Sequence, residues 1–70
     1  MEDEFLAGMM GRISVPVGPE LPGEIILAVR GGSEAYTAYC SGGEALKKNT
    51  HAVVIEQTGP RTVMVTATGA

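Results

Sequence analysis

Chemistry in a protein starts with side chains that can attack, transfer a proton or hold a metal, and this chain offers few. Ser33 sits in Gly31-Gly32-Ser33-Glu34-Ala35, which resembles a nucleophile elbow, but that motif needs glycine two places after the serine and Ala35 stands there. A turn serine is the reading that fits. Cys40 and His51 could form a thiol-imidazole pair, yet a glycine-rich connection separates them and no third group is in view to orient the imidazole. Apolar burial is the commoner fate of a free cysteine. One histidine and one cysteine cannot build a three- or four-ligand zinc centre, and no acidic calcium loop is present, so neither a metal nor a cofactor is expected. Residues 42–50 carry Lys47-Lys48 beside glycines but lack the Gly-Lys-Ser/Thr ending that cradles phosphate. Tyr36 and Tyr39 could stack bases, as aromatics do on barrels that bind single strands. With no catalytic residue to name, the expectation is a binding or assembly module and not an enzyme.

Composition narrows the partners. The net charge of −3 is carried by Glu2, Asp3 and Glu4, because the other five acids balance five bases. A near-neutral body lacks the clustered Lys and Arg that a phosphate backbone requires, which makes nucleic acid an unfavourable partner. Cys40 is the single cysteine, so no internal disulfide is possible and a reducing compartment is implied. No run approaches the roughly 20 apolar residues that span a bilayer, and no leader pattern is visible, so the chain as given reads as soluble.

The elements that would position these residues are short strands. Seventy residues with ten glycines and four prolines suit one small, turn-rich domain. Ile13, Val15 and Val17 alternate with Arg12, Ser14 and Pro16, the period of a strand with one buried face. Gly18 to Gly23 is a proline-glycine turn. Glu24 to Arg30 forms a second strand, with Ile25, Leu27 and Val29 on one face and Ile26 and Ala28 on the other. Arg30-Gly31-Gly32 then reverses the chain into a tyrosine-bearing strand. There Tyr36, Ala38 and Cys40 face one side and Ala35, Thr37 and Tyr39 the other. Ala38 would let the opposite wall come close, and Tyr36 would cover an open end. Ser41-Gly42-Gly43 breaks the pairing. Glu44 to Lys48 has helix-favouring composition and predicts at most two helical turns, stopped by Asn49 in a left-handed conformation. His51 to Gln57 and Thr62 to Thr68 are the fourth and fifth strands, joined by Thr58-Gly59-Pro60-Arg61. In the fifth, Val63, Val65 and Ala67 form the buried row.

The predicted fold is therefore all-β, a five-stranded OB-fold-like small barrel with a short helical turn between strands 3 and 4. An open roll or a biotinyl-carrier-type barrel shares much of the pattern. Residues 1–8 read as a flexible linker remnant and residues 9–70 as the barrel domain.

Five segments stand in a telling order and spacing: Gly11-Arg12, Pro22-Gly23-Glu24-Ile25, Arg30-Gly31-Gly32 with Tyr36-Thr37-Ala38-Tyr39, Leu46 to Val54, and Val63-Met64-Val65. Together they resemble the soluble C-terminal domain of the NfeD-like family of membrane proteins, over residues 8–68. Asn49 departs from it, standing where family members commonly have glycine. Family members carry transmembrane helices ahead of this domain, and long forms add a serine protease domain. Neither is in this sequence, so the resemblance implies an excised fragment with no proteolytic activity of its own. It further implies a parent at the cytoplasmic face of a prokaryotic cell membrane, regulating a membrane protease or assembling with stomatin- or flotillin-like partners through the loops 18–23, 41–50 and 58–61. The alternative is an OB-fold module for single-stranded nucleic acid, using Tyr36 and Tyr39. A small hydrolase built on Ser33 or Cys40 is a third reading.

Overall fold

A computed structural model describes residues 6–29, 31–40 and 42–68. It contains five strands: β1 (Met10–Val15), β2 (Gly23–Val29), β3 (Gly32–Cys40), β4 (His51–Gly59) and β5 (Thr62–Ala67). They close into a barrel in the order β1-β2-β3-β5-β4, with β4 returning to β1. All neighbours are antiparallel except β3 and β5. This is the OB-fold arrangement. Closure leaves β1 and β4 paired where a flat sheet would expose two edges.

The inward rows follow from the two-residue period. Ile13, Ile25, Leu27, Ala38, Ala52, Val54, Val63 and Val65 turn inward, and Leu6, Val17 and Leu46 complete the core. Burying one such aliphatic contributes about 1.5–3 kcal/mol, so a core of this size can hold a short chain together. Ala38 is fully buried between Gly23 of β2 and Val63 of β5, where its small side chain lets the walls approach.

Three details depart from the sequence-based expectation. Val15 does not share the buried row of Ile13 and Val17. The β1–β2 register shifts between Ile13 and Val15, which turns Val15 outward to 46% exposure, and Val17 regains the interior beyond the irregularity. The helical turn expected between strands 3 and 4 is absent among the described residues. Leu46 instead forms a bridge with Val17, exchanging two backbone hydrogen bonds of 2.9 and 2.8 Å. Local helix preference is a fraction of a kcal/mol per residue, so burying Leu46 and pairing its backbone prevails. The stop is as expected, because Asn49 adopts φ 75° in a turn closed by the Thr50 amide on the Lys47 carbonyl. The third departure concerns residues 6–8, which the sequence places with the tether. Leu6 is buried in the core and the Gly8 amide donates to the Val54 carbonyl at 2.7 Å, so these residues pack on the barrel. Residues 1–5, Arg30 and Ser41 lie outside the described residues.

Candidate interaction surface

Strand directions decide which of the candidate loops can act together. β1, β3 and β5 run one way around the barrel and β2 and β4 the other, so the β1–β2 and β3–β4 connections emerge at one end. The Val17–Leu46 bridge ties those two loops, and the amides of Ile13 and Asn49 bond the carbonyls of Thr50 and Ile13 at 2.8 and 2.7 Å. Arg12 adds a side-chain hydrogen bond to Asn49 Oδ1 at 3.2 Å. Within the first loop, Gly18 and Leu21 exchange backbone hydrogen bonds around Pro19-Glu20, leaving Leu21 67% exposed at the tip. Residues 58–61 lie at the opposite end, beside the β2–β3 tip. The three loops therefore form two surfaces.

At that second end, Arg61 organises the corner. Its Nη2 donates to Glu34 Oε1 at 2.9 Å and to the Ala35 carbonyl at 3.0 Å. The guanidinium carbon lies 5.2 Å from the Tyr36 ring centroid, a cation–π arrangement. Its own carbonyl accepts the Thr37 amide at 2.8 Å. The hydrogen bond to Glu34, then the carboxylate's charge, raises the Arg61 pKa above its ordinary value. The group stays charged in neutral and alkaline solution. Arg61 has φ 52°, an unusual conformation for a residue with a Cβ, and only the preceding Gly59-Pro60 hints at it in the sequence.

Tyr36 and Tyr39 face opposite ways, as the strand period requires. Tyr36 packs half-buried against the core beneath Arg61, whereas Tyr39 stands outward at 43% exposure. Tyr39 is in register with Met64 of β5, and Met64 with Glu56 of β4, where the register shift places the exposed Ile55 alongside. One step further, Thr66 meets Val53, which pairs with the exposed Met10 of β1. An apolar band thus crosses the outer wall of β3, β5, β4 and β1.

The candidates for reaction chemistry stay apart. Cys40 lies on the inward row beside Val65, and His51 is exposed on the outward row beside Arg12, so the barrel wall separates thiol from imidazole. Ser33 is exposed in the β2–β3 hairpin opposite Ala28. Among the described residues, no three His, Cys, Asp or Glu side chains are placed to hold a metal ion, and no helix is long and apolar enough to cross a membrane.

The family model for the NfeD C-terminal domain matches residues 10–66, from the first residue of β1 to the penultimate residue of β5. The chain belongs to this family. Two solved structures share the fold of this NfeD C-terminal domain. The soluble domain of the NfeD protein YuaF from Bacillus subtilis superposes with a TM-score of 0.79 at 20% identity, over 93% of this chain and 76% of that one. The C-terminal domain of stomatin operon partner protein 1510-C from Pyrococcus horikoshii gives 0.76 at 22% identity, over 93% and 91%. No curated protein matches the chain. The family match falls inside the span of residues 8–68 that carried the resemblance.

Proposed function

We propose that this NfeD C-terminal domain is a non-catalytic docking module of a membrane-anchored parent, standing on the cytoplasmic side of the membrane and gripping a stomatin- or flotillin-like protein. The observation that carries this reading is the outer band of Tyr39, Met64, Ile55, Val53 and Met10, a continuous apolar strip on a barrel whose core is already complete without it. Protein interfaces favour an aromatic and methionine-rich centre, and here one carboxylate, Glu56, stands in register with Met64 within the band. Family membership supports the reading, as does the name of one structural relative, a stomatin operon partner. The same docking is the route by which the domain would assist a membrane protease.

The opposed tyrosines favour protein over single-stranded nucleic acid, since only Tyr39 offers an open ring and the band it joins, Met64, Ile55, Val53 and Met10 with Glu56 in register, is made without a lysine or arginine. The test is recovery of a stomatin-like protein with the membrane-embedded parent, comparing the native protein, a form lacking this domain, and Tyr39→Ser/Ile55→Ser. Recovery should fall to background without the domain and about tenfold or more with the double substitution, the size of effect expected of central interface residues. Undiminished recovery in both refutes the proposal. Binding of an oligonucleotide at low salt, with shifts centred on Tyr39, would favour the competing reading.

A further inference from the structure

The barrel is closed around its middle but not along its whole length. β2 and β3 stay paired out to Val29 and Gly32, whereas β5 first meets β3 at Thr37↔Thr62. From Gly32 to Tyr36, the side of β3 turned away from β2 has no strand beside it among the described residues. An extended residue's N–H and C=O point the same way, and the Thr37 amide and Ala35 carbonyl both turn to this open side, where Arg61 meets them. The Ala35 amide and both backbone groups of Ser33 must turn there too. Such a row is a template for another strand.

We propose that the β3 edge at Ser33 and Ala35 is a pairing edge for a second copy of this chain, kept shut by Arg61. The arginine takes the place a strand would fill. Its carbonyl holds Thr37, its guanidinium occupies the Ala35 carbonyl, and Glu34 and the Tyr36 ring hold that guanidinium in place. The left-handed backbone at φ 52° is what turns residue 61 back across the edge.

A second copy fits because the edge is self-complementary. Antiparallel pairing centred on Ser33 sets Ser33 against its counterpart and Glu34 against Gly32, so the two carboxylates are not opposed. The outward side chains at the seam are Ser33 and Ala35, small and uncharged. Each copy supplies both donor and acceptor, as a two-fold interface requires.

Arg61→Gly in the full chain tests this, because glycine takes a positive φ without strain and the variant keeps its turn while losing the guanidinium. Light scattering across a wide concentration range should show wild type monomeric and Arg61→Gly dimeric, with self-association tightened at least about tenfold. Adding Ala35→Pro should restore the monomer, since it removes an N–H that faces the open side and plays no part in the β2 ladder. Arg61→Gly that is folded by circular dichroism yet monomeric throughout overturns the proposal. So does wild type that dimerises as strongly as the variant, or a double variant that still dimerises. Should Arg61→Gly not fold, amide exchange of the wild type decides: a Ser33 amide as protected as that of Tyr36 refutes an open edge.

Discussion

Replacing Gly23 with alanine should be among the most damaging single-methyl additions this chain can receive. A Cβ built at position 23 lies 2.3 Å from the Val15 carbonyl oxygen and 2.4 Å from that of Pro16, with the Pro16 carbonyl carbon at 2.7 Å. All three atoms are backbone, so no side chain can swing aside. The chain must move β1 away from β2 at the point where the first loop enters the sheet, which also strains the neighbouring Val17–Leu46 bridge. Overpacking of this kind costs about 1–3 kcal/mol, and the unyielding neighbours put Gly23→Ala at the upper end, about 3 kcal/mol. A domain of this size has a total stability of about 4–10 kcal/mol, and each kcal/mol shifts Tm by roughly 4–8 °C. The expected fall is therefore on the order of 10–20 °C, read by circular dichroism melting. Gly32→Ala is the control: its nearest neighbour would be the Val29 carbonyl at 4.0 Å and its φ is not positive. Restricting the unfolded chain there should leave stability unchanged or raise it by about 0.4–1 kcal/mol. Equal melting temperatures for the two variants would refute the close approach of β1 to β2 and the reasoning built on it.

Leu27→Ala removes a fully buried side chain and should cost about 2–5 kcal/mol by urea unfolding, with the upper half of that range leaving little folded protein at 37 °C. At position 49, where φ is 75°, Asn49→Gly should be within about 0.5 kcal/mol of wild type, whereas Asn49→Ala should lose about 1–2 kcal/mol to left-handed strain. His51 is exposed and its ring makes no hydrogen bond among those described, so His51→Gln should change Tm by no more than about 2 °C and leave partner recovery untouched.

The strand period carried most of the fold into the sequence. Ile25, Leu27, Ala38, Val63 and Val65 are buried where alternation puts them, and the opposed tyrosines follow from the same rule. What alternation cannot encode is where it breaks. The shift after Ile13 exposes Val15 because the bend depends on where β2 lies, and β2 is brought there by tertiary contacts. Glu44 to Lys48 looked helical for the complementary reason: local preference was readable, but the pairing of Leu46 with Val17, distant in sequence, was not. The same blindness hid Leu6, which follows an acidic run in the sequence and whose burial depends on contacts around β4. Of the candidate surface, the loops were legible as loops. The outer band and the Arg61 corner were not, because the band is assembled from four strands and the corner from β3 and the β4–β5 connection, which meet only after the sheet has curled.

The seating of β5 between β3 and β4 bears on how the molecule comes into being. β5, made after the other four strands, is neither a flap nor an edge but an interior stave, in parallel contact with residues 37–40 on one flank and antiparallel contact with residues 52–59 on the other. Until it arrives, the first four strands can only form an open trough with β3 and β4 gaping apart. A ribosome-bound nascent chain halted before Thr62 should accordingly be protease-sensitive through its first four strands, and assembly should become all-or-none once Thr62 to Ala67 are free to pair.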